Sequence, residues 1–196
     1  MARPKEFDPE VAVDRAMDLF WRKGYGATSP NDLVAELGIG KGSLYAAFGS
    51  KRALFDLALD RYRERQGDTL TEIIDRPGPV LDRLRAALQL IIDANAADPV
   101  RRGCLAVNTA AELAGVDLKA TEDVRAMFEH NEAHLQDVIT AGQLSGEVRG
   151  DVPAAALATH LLVIGVGLQL LVKTARDPQA LSTVVDAAIT ILKPPA

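Results

Sequence analysis

The chain has 196 residues, 48% of them hydrophobic and 25% charged, which is enough to bury a sizeable core. Its formal charge of −5 excludes a uniformly basic wrapper of nucleic acid, and its single cysteine excludes an intrachain disulfide and fits a reducing compartment. The charge is uneven: 11 Lys and Arg stand against 10 Asp and Glu through Gly67, and 11 against 17 beyond it, so the acidic remainder is not a surface for DNA.

The chain starts with a basic arm, Arg3 and Lys5, which either touches a DNA backbone or stays loose. No signal-peptide apolar stretch follows, so a cytoplasmic location is expected. The apolar spacing predicts a first helix over Pro9 to Lys23, burying Ala16, Leu19 and Phe20 and ended by Gly24-Tyr25-Gly26. Trp21 and Tyr25 are assigned to packing.

From Thr28 to Lys51 the sequence reads as a helix-turn-helix. Ser29 is placed to cap the first helix, Pro30 suits its first turn, and Asp32 stands where a capping-box acid belongs. Gly38 takes the left-handed conformation that ends it, and Ile39 tucks into the angle. The second helix, Lys41 to Phe48, buries Leu44 and Phe48 at four-residue spacing and turns Lys41, Ser43 and Tyr45 elsewhere. Gly40 and Gly42 permit close approach to a phosphate or a base edge. Ser50 caps a long helix whose first turn holds Lys51 and Arg52; two cations there oppose the helix dipole, which points to a phosphate partner. Thr28, Lys41, Gly42, Ser43, Tyr45 and Lys51 are therefore the candidate DNA-binding residues.

The segments T-S-x-x-D-L, G-I-G-K-G-S-L-Y-x-x-F and S-K-x-x-L-F, arriving in order after L-F-x-x-x-G-Y, resemble the TetR family of transcriptional regulators. The resemblance implies an all-α homodimer whose first three helices bind double-stranded operator DNA and whose C-terminal helical part binds a small-molecule effector and dimerises. One departure is Ala46-Ala47, where many members carry a polar residue. About nine helices are expected, with residues 1–50 as the DNA-binding domain, residues 51–196 as the ligand-binding and dimerisation domain, and the helix over 51–74 linking them.

Beyond Pro77-Gly78-Pro79 a fifth helix to about Ala97 turns Leu81, Leu84, Leu88, Ile91 and Ile92 inward. After Asp98-Pro99, the segment Arg101 to Leu113 resembles a G-C-L-x-x-N-x-x-x-E signature of one TetR subgroup, and places Cys104, Asn108 and Glu112 on one drifting stripe. A seventh helix, Lys119 to Leu144, buries Val124, Phe128, Leu135 and Val138, with Asn131 in the same stripe needing either a backbone carbonyl or a ligand. His130 and His134 at i and i+4 are a minor metal alternative, with Cys104 as a third ligand.

An eighth helix is expected from Pro153 to Arg176 and a ninth from Asp177-Pro178 to Leu192. Leu157, Leu161, Ile164, Leu168 and Leu171 form one seam, while Val163, Gly165, Gly167 and Leu170 are further apolar surface that a second subunit would cover. The longest apolar run, Leu161 to Val172, contains Gln169 and is too short for a bilayer, so no membrane partner is expected.

Cys104 lies just after Arg101 and Arg102 at a helix start, a setting that favours a thiolate and a sensing role; packing as a small buried residue is the equal alternative. Some members with the signature respond to electrophiles through this cysteine, and others bind ordinary ligands beside it. A modified thiol here needs a small thiol, an amine such as Lys173, or a second subunit's Cys104. The candidate effector residues are Ile92, Cys104, Asn108, Phe128, Asn131 and Lys173, with no cofactor and no resident metal expected. No G-x-S-x-G, H-E-x-x-H or phosphate-cradling loop appears, so an enzyme is not indicated.

Overall fold

The computed structural model describes residues 7–195, apart from the side chains of Gln66 and Asp68; the basic arm of Arg3 and Lys5 lies outside the described residues. The described chain is all helical: α1 (Pro9–Lys23), α2 (Pro30–Leu37), α3 (Lys41–Phe48), α4 (Lys51–Ile74), α5 (Val80–Ala97), α6 (Leu105–Leu113), α7 (Leu118–Ser145), α8 (Ala154–Leu171) and α9 (Ser182–Leu192), with a 3₁₀ turn Pro178–Leu181 before the last.

Local chemistry accounts for the helix ends. The Asp8 carboxylate accepts the Glu10 N–H and starts α1. Ser29 and Asp32 form a reciprocal capping box on α2, and Gly38 ends it at φ +67. Ser50 accepts the Ala53 N–H at the head of α4. Asp32 also accepts from Lys23 at 2.7 Å, and Lys23 followed by Ser29 holds its carboxyl below the usual carboxylate range.

Two apolar cores form. The first joins Phe20, Leu33, Leu44, Leu54 and Phe55 of α1–α4 to Leu105, Ala106 and Leu113 of α6 and Val124 and Met127 of α7. The second gathers α5, α8, α9 and the C-terminal half of α7. Hydrophobic packing thus runs straight across residue 50.

Three details of α8 and its surroundings differ from expectation. The helix ends at Leu171, where Lys173 and Thr174 donate to carbonyls three residues back and tighten the last turn. The buried seam runs through Leu157, Leu161, Leu168 and Val172, so Leu171 is turned out and is 51% exposed. Gly165 lies on the inner face, where an added Cβ would stand 3.6 Å from Ile91 Cδ1, and not on the outer surface.

Candidate DNA-binding surface and effector cavity

The helix-turn-helix presents α3 outward. Leu44 and Phe48 anchor it in the first core, while Lys41, Gly42, Ser43 and Tyr45 are exposed. Lys41 occupies the first turn of a helix that has no side-chain cap, so its charge sits at the positive end of the dipole with no intrahelical reason to be there. Among the described residues nothing comes within 4 Å of a Cβ built on Gly40 or Gly42.

Two further candidates, Thr28 and Lys51, make contacts within the chain. Thr28 is fully buried and its hydroxyl donates to the Gly24 carbonyl at 2.6 Å. The Lys51 ammonium donates to the carbonyls of Tyr25 and Thr28 at 2.8 and 2.9 Å and lies 4.1 Å over the Tyr25 ring. The cation at the head of α4 is thus held by the α1–α2 turn. Arg52 is likewise engaged, by Asp56 and Asp117.

Sequence spacing missed the link between the two parts of the chain. Glu112, in the last turn of α6, accepts the N–H of Tyr25 at 3.0 Å and that of Gly26. Trp21 Nε1 donates to the Gly103 carbonyl at 3.2 Å, and the Arg102 guanidinium lies 4.1 Å over the Trp21 ring while pairing with Asp18 and Asp98. The one available hint was an acid placed at the negative end of a helix, where it is unfavourable by itself.

Helices α4, α5, α7 and α8 enclose a cavity of about 810 Å³, within the range of small-molecule sites. Apolar walls come from Leu88, Ile91, Met127, Phe128, Leu161 and Leu162. At one end stand Tyr62, Asn95, Cys104 and Gln169, and Asn131 also lines the space. Asn95 is buried; its amide donates to the Ile91 carbonyl at 2.8 Å and its oxygen accepts the Gly103 N–H at 3.0 Å. The only polar residue of the apolar run, Gln169, offers its oxygen to Asn95 at 3.4 Å.

Of the six candidate effector residues, Cys104, Phe128 and Asn131 line the cavity. Ile92 is fully buried in the second core. Lys173 donates to Asn108 Oδ1 at 2.8 Å, and Asn108 donates to the Arg102 carbonyl at 2.9 Å, so this pair braces the 102–104 junction from behind. Those three are not cavity walls.

The surroundings of Cys104 work against a thiolate. Burial pushes the thiol above its ordinary value, and the Tyr62 hydroxyl donates to Sγ at 3.2 Å without offsetting this. Burial also pushes Tyr62 up. The adjacent cations are spent elsewhere: Arg101 donates to the Ala175 carbonyl at 2.7 Å, and Arg102 serves Asp18 and Asp98. The His130, His134 and Cys104 metal alternative is not assembled either. His134 lies 2.9 Å from Asp75, and among the described residues no three His, Cys, Asp or Glu side chains converge.

Comparison with known proteins agrees with this geometry. Residues 12–58 match the family model described as bacterial regulatory proteins, tetR family, and residues 80–188 match the tetracyclin repressor-like C-terminal domain. An uncharacterized HTH-type transcriptional regulator of Bacillus subtilis, YezE, is 33% identical over 98% of this chain and 100% of its own length. The HTH-type transcriptional repressor ComR of Escherichia coli is 30% identical over 97% of this chain and 90% of its own. A cysteine mutant of the TetR family regulator CifR, solved with a 26-bp double-strand operator DNA, superposes with a TM-score of 0.86 at 29% identity, covering 97% of this chain and 100% of that one. With a capped helix-turn-helix at one end, a walled cavity at the other and relatives matching along nearly its whole length, the chain belongs to the TetR family of transcriptional regulators.

Proposed function

We propose that the chain is a homodimeric repressor that binds a near-palindromic operator in the cytoplasm and releases it when a small molecule occupies the cavity. The observation that carries this reading is α3, anchored by Leu44 and Phe48 and presenting Lys41, Gly42, Ser43 and Tyr45 outward. Two such helices, one per protomer, would enter successive major grooves about 34 to 36 Å apart. The repressor sign is supported by ComR and the operator-bound state by CifR. The role of Lys51 is to hold the α1–α2 turn in place for this docking.

The second subunit is supported by unpartnered apolar surface. Val163, Leu170 and Leu171 of α8 and Ile191 of α9 are 63, 55, 51 and 45% exposed. By length and composition alone α8 could cross a membrane, with a mean hydropathy of 1.9 over 18 residues. Its inner face is nevertheless packed on α5 and α7, and that leaves one outward face suited to a helix pair. We assign that face to the dimer.

Footprinting and gel-shift titration on DNA flanking the gene test the operator reading. Lys41→Ala should weaken binding at all sequences alike and lower the slope of log K against log salt by about one. An unchanged affinity across the salt titration would remove Lys41 from the interface.

The cavity favours a mostly apolar effector that carries hydrogen-bonding groups, since Arg63, Glu64, Asp98 and Arg102 also reach its lining. Its apolar walls make up most of the lining, and its polar end offers amides, a phenol and a thiol that burial keeps neutral. The subgroup resemblance carries a thiol-sensing alternative, but a protonated Cys104 makes the thiol a wall group. A neutral aromatic such as 1-naphthol should therefore raise the melting temperature and release operator equally in wild type and Cys104→Ser. The response should stay flat between about pH 6 and 8, because a thiol with a raised pKa remains neutral there. Release by an electrophile in wild type alone would restore the thiol sensor.

A further inference from the structure

We propose that Glu112 is a positioning residue for operator recognition: its carboxylate is the resident anion of a two-amide cradle in the α1–α2 turn and sets the pose of the helix-turn-helix. This deepens the operator-binding reading and rests on it. Both oxygens are used, one by the Tyr25 N–H and the other by the Gly26 N–H. Converging backbone N–H groups of this kind make an anion site, and here the anion comes from the other domain.

The turn is shaped around that carboxylate. Gly24 has φ +84, and a Cβ on it would lie 3.0 Å from Glu112 Oε2; a Cβ on Gly26 would lie 2.8 Å from Oε1. The same turn is gripped from its carbonyl side by Lys51, so an anion holds its amides and a cation holds its oxygens. It leads directly into Ser29, the cap of α2, and α2 fixes α3 through the first core. An error in the turn is therefore passed to the recognition helix. Glu112 itself sits in the last turn of α6, where a negative charge opposes the dipole, so helix stability does not account for it. The other end of α6 is Cys104 on the cavity wall, about 12 Å away at 1.5 Å per residue.

Simple electrostatics and positioning predict opposite signs. Removing a carboxylate near DNA should tighten binding if charge alone mattered. Positioning predicts that Glu112→Ala binds operator about tenfold more weakly, since hydrogen bonds to a charged group are lost and the exposed setting places the loss at the low end. The salt slope should not change, because no phosphate contact is removed. Glu112→Gln, which keeps one acceptor oxygen, should fall between. Gly26→Ala, which crowds the carboxylate while leaving it in the chain, should reproduce the weakening.

The test is gel-shift titration of wild type and the three variants over a salt series, with hydrogen exchange read at Tyr25 and Gly26. The proposal expects weaker binding, an unchanged slope, and faster exchange at those two amides while α1 stays protected. Wild-type or tighter affinity in Glu112→Ala overturns it. So does a loss confined to the active fraction, with full affinity in the molecules that remain folded, because that is a stability effect only. If wild type itself binds no operator, the operator reading fails and not the cradle, which the exchange measurement then judges alone.

Discussion

Val163→Glu combined with Leu170→Glu is expected to give a folded monomer that binds operator roughly 10² to 10⁴-fold more weakly than wild type, the avidity of two linked half-site contacts. Both side chains are exposed on α8, at 63 and 55%, so a carboxylate there meets water in the free protomer. In a two-fold interface each would instead be buried without a partner charge, twice over by symmetry, which strongly disfavours assembly. Light scattering gives the mass and circular dichroism the fold. A dimer that survives both substitutions would move the interface elsewhere.

Leu168→Glu, which apolar spacing alone would also select, is a poor probe. Leu168 is 1% exposed inside the protomer, so a glutamate there would unfold the subunit and mimic a lost interface. Spacing places a residue on a stripe without saying which neighbour covers the stripe. On α8 the error is a rotation: the buried line runs through Leu161 and Leu168 to Val172 and leaves Leu171 out.

Legibility followed sequence distance. The capping box of Ser29 and Asp32, the left-handed Gly38 and the Leu44–Phe48 pair all rest on residues within a few positions of one another, and α2 and α3 follow from them. Lys51 shows where that stops. Its place at a helix N-terminus was readable, but the carbonyls above it belong to a turn 23 and 26 residues earlier. Arg101 and Arg102 adjoin Cys104 in sequence yet spend their charge on Ala175, Asp18 and Asp98, so the thiol gains none of it. The same distance hides the polar end of the cavity, where Asn95 meets Gln169 across 74 residues. Beside the linking helix Lys51–Ile74, a second connection runs from Arg102 and Gly103 to Asp18 and Trp21 and from Glu112 of α6 to Tyr25.

Leu105→Ala should lower stability by about 2 to 5 kcal/mol, although Leu105 lies far from the helix-turn-helix in sequence. It is 2% exposed and belongs to the first core with Phe20, Phe55 and Leu44, so its removal leaves a void inside that core. For a chain of this length the melting temperature should fall by roughly 5 to 15 °C. The single tryptophan of the chain is a built-in reporter of whether the two parts melt together. Trp21 belongs to α1, donates to Gly103 just ahead of α6, and packs edge-on against Tyr62 of α4 with ring centroids 4.9 Å apart. If the first core is one cooperative unit, Trp21 fluorescence and helical circular dichroism report one coincident transition, displaced to lower temperature in the variant. A variant in which Trp21 keeps its native emission while helix content falls would mean that α1–α4 stand without α6. The DNA-binding helices would then be held in place by α4 alone.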